Sequence, residues 1–175
     1  MKVLLHICCG VCAAGVVEQL HSEGYEVIGL FYNPNIHPIE EYNRRLEVAR
    51  RVAFEFSFPL VVPPYEPDEW FGEAEPLTGE PEGGRRCEVC FRIRLRVAHD
   101  FMIEQQADAF TTTLTIGPRK SANLINRIGC EIDEEHFLVR DFKKKAGFQR
   151  ATELAKKWEL YRQDYCGCVY SIRSR

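Results

Sequence analysis

Residues 3–14, VLLHICCGVCAA, constrain the fold of this chain more than any other stretch. The apolar run from Val3 to Ile7 is typical of a strand that is buried on both faces. Three cysteines follow directly, and a helix pattern begins at once. In open α/β sheets, ligands bind beyond the carboxyl end of a strand, beside the N-terminus of the next helix. The stretch therefore predicts an α/β fold whose binding edge carries a cluster of thiols.

The remaining pattern predicts an open parallel sheet with flanking helices, a three-layer α/β sandwich. Strands are predicted at residues 2–7, 25–32, 59–62, 109–114 and 137–139. Helices are predicted at residues 10–23, 39–56, 87–106, 118–128 and 147–158. Residues 65–84 are acidic and rich in proline and glycine, so we expect a surface excursion or a lid there. The chain is predicted to form a single domain, residues 1–175, with this acidic insertion and a basic C-terminal tail.

The chain contains eight cysteines, and seven of them fall in close groups: Cys8, Cys9 and Cys12; Cys87 and Cys90; Cys166 and Cys168. No apolar run approaches the ~20 residues that cross a bilayer, and the N-terminus lacks the features of a signal peptide. We therefore expect a cytoplasmic protein with no membrane partner. In that reducing compartment, such spacing indicates metal or redox chemistry rather than structural disulfides. Cys130 stands alone and is predicted to be a core cysteine.

Three chemistries remain open for these seven thiols. Their number exceeds the four ligands that one zinc ion or one cubane cluster takes. Two metal centres, or one centre with additional redox-active thiols, are therefore expected. Iron–sulfur chemistry is favoured because one group lies at the binding edge of the sheet. Structural zinc and a metal-free dithiol are the alternatives.

Basic residues are concentrated near the cysteines, although the chain carries a net charge of −3. Residues 85–96 contain five arginines and one glutamate, and residues 140–175 contain ten basic and four acidic residues. Residues 66–82 contain seven acidic residues and no basic one, so we expect this segment to point away from an anionic partner or to move on binding. The distribution favours an anionic substrate at the cysteine end, and a mixed solvated surface is the alternative.

Polar residues near two strand ends are candidates for binding such a substrate. Asn33 and Asn35 lie in the loop after the second predicted strand, where they either read the substrate or only form a turn. Arg119 and Lys120 follow a threonine-rich strand end. That pattern suits phosphate or ribose contact at a helix N-terminus, and it fits a simple capped helix equally well.

Basic residues of the C-terminal region are predicted to contact a phosphate backbone: Lys143, Lys144, Lys145 and Arg162. Such contacts hold a nucleic acid in position without reading its sequence. Four aromatic residues are candidates for stacking on a base, although most buried aromatic residues only pack: Trp70, Phe71, Phe91 and Tyr165.

Five stretches together resemble the QueH-type epoxyqueuosine reductases: LHICCGVCA, FYNPNIHPIEEYNRR, GGRRCEVCFRIRL, FTTTLTIGPRK and LYRQDYCGCVYS. They occur in the family's order and extend over nearly the whole chain. The resemblance implies a fold similar to the adenine-nucleotide α-hydrolase, or HUP, type of ATP pyrophosphatases. The SGGxDS phosphate loop of those enzymes is absent and cysteines follow the first strand, so we do not expect ATP to be used. Val11 stands where family members often have proline, which changes the stiffness of the loop but removes no ligand.

The resemblance implies the last step of queuosine biosynthesis, in which epoxyqueuosine at the wobble position of tRNA loses its epoxide oxygen. The implied partners are the tRNAs for Asp, Asn, His and Tyr, which carry GUN anticodons, and an unidentified electron donor. The implied cofactors are a [4Fe–4S] cluster and a further mononuclear iron, without cobalamin. The implied metal ligands are Cys8, Cys9, Cys12, Cys87, Cys90, Cys166 and Cys168.

The division of these ligands between two centres does not follow from the sequence. Cys9, Cys87 and Cys90, with one more thiolate, are preferred for the cluster. An open iron site would act as a Lewis acid on the epoxide oxygen, and the expected proton donor is one of three residues: Asp164, Glu41 and Tyr32. A thiolase-like iron–sulfur tRNA enzyme and a non-enzymatic, metal-bearing RNA-binding module are the rival functions.

Overall fold

The computed structural model describes residues 1–144 and 146–172. Its sheet has four parallel strands, β1 Lys2–His6, β2 Glu26–Leu30, β3 Leu60–Val61 and β4 Ala109–Thr112. The α-helices of the described residues are α1 Gly10–Ser22, α2 Ile39–Phe56, α3 Pro67–Ala74, α4 Arg85–Glu104, α5 Ala122–Ile132 and α6 Gly147–Lys157. Short 3-10 turns lie at Glu75–Leu77, Thr113–Ile116 and Val169–Ser171. Of the predicted phosphate contacts and basic tail, Lys145 and residues 173–175 lie outside the described residues.

The strand order is β3-β2-β1-β4, so the direction of progress along the sheet reverses between β1 and β4. Leu4 in the middle of β1 lies opposite Ile28 of β2 and Phe110 of β4. The strands β1, β2 and β3 follow one another towards one edge of the sheet. The chain then passes through α4, and β4 pairs with the other side of β1. Ligands of open α/β sheets bind at such a reversal. The carboxyl ends of β1 and β4 are therefore where a site is expected.

Helices cover both faces of the sheet, which confirms the predicted three-layer α/β fold. The helix α1 packs against α2 and α6, whereas α4 packs against α5, β1 and β4. Val3, Leu4 and Leu5 are completely buried, as the central strand of a covered parallel sheet requires. Gly10 allows α1 to touch α2, because a Cβ atom there would lie 2.5 Å from Cγ1 of Val48. Among the described residues, no helix combines the length and apolarity needed to cross a membrane.

The acidic insertion contains a helix that the sequence did not predict. Residues 67–74 form α3, and the Trp70 side chain is completely buried. The Tyr32 hydroxyl donates a hydrogen bond of 2.6 Å to the Glu69 carboxylate. The buried tryptophan anchors this helix. The interpretation of Trp70 as a stacking platform was wrong, because its side chain is not exposed to a base.

Two predicted elements near β4 differ from the structure. The strand predicted at 137–139 is reduced to a single bridge between Phe137 and Phe110. The hydroxyl of Thr111 donates to the Leu138 carbonyl at 2.9 Å and so takes an acceptor that a longer ladder would use. The helix predicted from residue 118 begins at Ala122 instead, after a 3-10 turn and an N-cap.

Candidate metal centre

The first cysteine group lies where β1 ends and α1 begins. The Sγ atoms of Cys8, Cys9 and Cys12 lie within 4.8 Å of one another. Cys9 is the N-cap of α1, and its sulfur accepts the backbone N–H of Cys12 at 3.4 Å. The strand ends only three residues before the helix cap, and this short connection directs three sulfurs to one place. None of the eight cysteines forms a disulfide, and all eight are among the described residues.

Thr113 holds this group against the end of β4. Its hydroxyl accepts the backbone N–H of Cys8 at 3.0 Å and donates to the Cys8 sulfur at 3.2 Å. The two bonds join the carboxyl ends of β1 and β4 at the reversal of the sheet. The threonine-rich strand end therefore orients a cysteine in addition to capping the turn that follows it.

The three thiols of this group share their protons unequally. The pKa of Cys8 lies well below its ordinary value, chiefly because the thiols of Cys12 and Cys9 donate hydrogen bonds to its thiolate. The pKa of Cys12 lies well above its ordinary value because its proton is held between it and Cys8 and because it is buried. A thiolate with two adjacent thiols is a ligand set that suits a soft metal.

The second cysteine group combines the start of α4 with the C-terminal loop. Burial raises the pKa of both Cys87 and Cys90, and the thiolate charges of Cys166 and Cys168 raise it further. Cys87 and Cys166 line one cavity, so the C-terminal loop lies beside the start of α4. The Cys87 sulfur also accepts the backbone N–H of Gly83 at 3.2 Å.

A buried ion pair holds the loop that carries Cys166. The Arg45 guanidinium donates to the carbonyls of Cys166 at 2.9 Å and Tyr165 at 3.1 Å. Its Nε donates to Glu41 at 2.7 Å, and the Tyr161 hydroxyl donates to the second oxygen of Glu41 at 2.8 Å. Glu41 is thereby engaged in fixing the loop, and its carboxylate is only 5 % exposed.

The turn between Cys166 and Cys168 depends on Gly167. Its φ of +127° lies in the region that only glycine adopts readily. Its carbonyl accepts the backbone N–H of His37 at 2.8 Å, so the loop after β2 lies beside the second cysteine group.

Two cationic side chains lie among the cysteines. Burial lowers the pKa of the half-buried Lys120, but the thiolate charges of Cys8 and Cys166 outweigh this effect and raise it. The pKa of Arg94 is raised in the same way, by Cys90, Cys166 and Cys8, against the effect of burial. The sequence predictions missed Arg94, although its position four residues after Cys90 on α4 places both on one helix face.

A cavity of about 200 Å³ opens beside Cys12 and Cys166. Besides these two cysteines, four other predicted site residues line it: Arg119, Lys120, Arg162 and Asp164. Glu82 and Gln163, which the sequence predictions missed, line it as well. Glu82 belongs to the acidic segment, which was expected to point away from an anionic partner or to move on binding, and that expectation stays a prediction. A second cavity, of about 110 Å³, joins Cys87 to Lys120.

Tyr32 and Lys144 lie apart from this cavity. The Tyr32 hydroxyl is engaged by Glu69, and burial together with that carboxylate raises the pKa of Tyr32. Lys144 is exposed on the turn before α6. Neither residue lines the cavities at the cysteines.

The two predicted asparagines are buried beneath the site. Asn33 is 2 % exposed and donates to the Ile7 carbonyl at 2.8 Å, so it ties the loop after β2 to the end of β1. Asn35 is 1 % exposed, and its side-chain oxygen has no hydrogen-bond partner. Their local contacts are those of residues that shape the loop.

Comparison with known proteins identifies relatives over the full length. A family model described as epoxyqueuosine reductase QueH matches residues 3–174. The chain is 38% identical to the epoxyqueuosine reductase QueH of Histophilus somni, over 98% of this chain and 72% of the relative. It is 32% identical to the protein of that name from Thermotoga maritima, over 99% of this chain and 91% of the relative.

A solved structure has the same fold. It is the U34-tRNA thiolase NcsA from Methanococcus maripaludis with its [4Fe-4S] cluster, which superimposes with a TM-score of 0.58 at 14% identity. The match covers 99% of this chain and 62% of the thiolase. At this identity the likeness concerns the fold.

Proposed function

The chain belongs to the QueH family of epoxyqueuosine reductases, and we propose that it reduces epoxyqueuosine to queuosine at the wobble position of tRNA. This reaction is the last step of queuosine biosynthesis. The proposed enzyme is an oxidoreductase that uses iron and needs no cobalamin. It acts in the cytoplasm, where its thiols stay reduced.

One observation carries this proposal beyond family membership. Cysteines from three separate segments meet near the reversal of the sheet: Cys8, Cys9 and Cys12 lie close together, and Cys166 lines one cavity with Cys12 and a second cavity with Cys87. The first of these cavities is also lined by cationic side chains. A zinc-bearing structural module would need only four ligands. It would not require an adjoining cavity with the charge to hold an anionic substrate.

The cysteines suit an iron–sulfur centre in their chemistry and surroundings. We propose that a [4Fe–4S] cluster and a mononuclear iron are held by Cys8, Cys9, Cys12, Cys87, Cys90, Cys166 and Cys168. Thiolates are the ligands of such clusters, and the buried Arg94 and the half-buried Lys120 offset their negative charge. The compact sulfur group is Cys8, Cys9 and Cys12, so the preferred assignment of Cys9 with Cys87 and Cys90 has no geometric support. When bound, the iron supplies electrons and polarises the epoxide oxygen.

The chain itself must supply a proton to the epoxide oxygen. Conversion of an epoxide to an alkene takes two electrons and two protons and releases water. Asp164 is the proposed donor because it lines the cavity with Cys12 and Cys166. Glu41 is proposed to act through Arg45 on the loop, and Tyr32 through Glu69 on α3.

The cationic wall of the cavity is proposed to bind the tRNA. Arg119, Lys120 and Arg162 line the cavity at the cysteines, where they would contact phosphates on either side of the flipped wobble base. Lys144 is proposed to extend this contact outside the cavity. Asn33 and Asn35 are proposed to shape the substrate's surroundings through the loop that they stabilise. The proposed substrates are the tRNAs for Asp, Asn, His and Tyr, which carry GUN anticodons, and the electron donor is unidentified.

The proposal is tested by an anaerobic single-turnover assay. Iron-reconstituted, chemically reduced protein is mixed with tRNA that carries epoxyqueuosine, and the nucleosides are identified by mass spectrometry. We expect the modified nucleoside to lose the mass of one oxygen atom. Asp164→Asn should bind the tRNA normally and convert it about 10²-fold more slowly, as the loss of a general acid predicts.

Two outcomes contradict the proposal in different ways. Iron-loaded protein that binds the tRNA without changing its mass would refute the reaction. A product that gains sulfur would favour a thiolase-like enzyme instead.

A further inference from the structure

Arg94 is a buried guanidinium with an unused donor. Its side chain on α4 is 2 % exposed and ranks among the largest that are fully buried. The Nε atom donates to the Cys90 carbonyl at 3.0 Å, and the guanidinium lies 5.6 Å from the centre of the Phe91 ring. The Nη2 atom has no hydrogen-bond partner. A buried charge is unfavourable unless it is paired and hydrogen-bonded, so this group requires an anionic partner.

The charges that act on Arg94 come from cysteines of both groups. Cys90, Cys166 and Cys87 belong to the second group, and Cys8 belongs to the first. Arg94 is therefore within electrostatic reach of both groups, and its hydrogen bond to the Cys90 carbonyl places it beside the second. The anion that its geometry fits is an iron–thiolate centre, whose ligands carry more negative charge than the metal neutralises.

Trp70 provides a second, independent donor at the same place. Its side chain is completely buried, and its indole N–H has no nitrogen or oxygen partner. Trp70 lies on α3, which packs against α4, the helix that carries Cys90 and Arg94. Two buried N–H donors without a partner thus lie on two helices that pack together.

We propose that Arg94 is a positioning residue of the iron–sulfur centre, which it stabilises in the reduced form by charge and by a hydrogen bond from Nη2. Trp70 assists by donating its indole N–H to the Cys90 sulfur. Hydrogen bonds to ligand sulfurs and nearby charge set the reduction potentials of such clusters. This inference rests on the proposed function, because it presupposes that the cysteines hold iron.

The test compares reduction potentials of reconstituted full-length variants in redox titrations followed by electron paramagnetic resonance. Arg94→Met removes the charge and the donor, and Arg94→Lys retains the charge. Arg96→Met is the matched control, because Arg96 lies on the same helix and is exposed. At a fixed poise, Arg94→Met should lower the ratio of reduced to oxidised centre about tenfold, or about 59 mV for a one-electron couple. Arg94→Lys should recover part of this loss, and Arg96→Met should leave the ratio unchanged.

Trp70→Phe keeps the inference testable if Arg94→Met does not fold. It removes one N–H and preserves an aromatic ring, and it should lower the same ratio by a smaller factor. Unchanged ratios in Arg94→Met, or in Trp70→Phe where the former does not fold, would overturn the inference and leave the proposed function intact. Wild-type protein that takes up no iron would overturn both.

Discussion

The replacement of Arg45 by methionine should destabilise the protein and weaken metal binding at the same time. The Arg45 and Glu41 side chains are only 2% and 6% exposed, and their ion pair is 2.7 Å long. Removal of one partner from a buried pair costs about 3–5 kcal/mol, because the other charge is left without compensation. The Tyr161 hydroxyl still donates to Glu41 in this variant. We therefore expect the lower end of the range.

The effect is measured by urea unfolding of the metal-free variants. A loss of about 3 kcal/mol shifts the midpoint by about 1–2 M if m is about 2 kcal/mol/M. The Glu41→Gln/Arg45→Met double variant should recover part of the loss, because no charge remains uncompensated. Arg50→Met is the control: Arg50 lies on the same helix in an exposed ion pair with Glu47, and such pairs contribute about 0.3–0.5 kcal/mol.

Iron content provides the second readout for Arg45→Met. The variant loses the donors to the carbonyls of Tyr165 and Cys166, so the cysteine loop should hold less iron per chain than in the wild type. A midpoint equal to that of Arg50→Met would refute the argument about the buried pair. Full iron content despite lowered stability would refute the link between this pair and the metal centre.

Three further predictions concern single residues. Gly10→Ala should lower the free energy of unfolding by about 1–3 kcal/mol in calorimetry, because the new Cβ collides with α2. Gly72→Ala on the exposed face of α3 should raise the free energy of unfolding by about 0.5–1 kcal/mol. Cys87→Ala should abolish the visible absorption of the reconstituted centre, and Cys130→Ala should retain it. Iron chelation should lower the thermal midpoint of the wild type and leave that of Cys87→Ala nearly unchanged, because bound metal stabilises only the folded state that holds it.

Much of the architecture follows from local pattern. The alternation of strands and helices predicts parallel strands, and the carboxyl ends of parallel strands lie at one edge. Cys8 and Thr113 follow two such strands, and the structure joins them by hydrogen bonds. The cysteine spacing likewise predicts a metal centre, since each pair is close enough in sequence to act together.

The features that the sequence predictions missed depend on contacts between segments that are far apart along the chain. The Arg45 guanidinium donates hydrogen bonds to a loop that lies 120 or more residues away along the chain. No local sequence pattern indicates that partner. Arg94 lies on a helix with an apolar pattern. The sequence of that helix does not show that cysteines of other segments act on its charge. Trp70 turns an acidic stretch into an anchored helix, because the burial of one large side chain outweighs its polar composition.

The central claim is that electrons pass from iron held by these cysteines to epoxyqueuosine in tRNA. It is tested most directly by following the electron-paramagnetic-resonance signal of chemically reduced protein under anaerobic conditions. Addition of tRNA that carries epoxyqueuosine should abolish the signal as queuosine forms, and addition of tRNA that already carries queuosine should leave it unchanged. A signal that persists in the presence of bound epoxyqueuosine tRNA, or conversion by iron-free protein, would contradict the account.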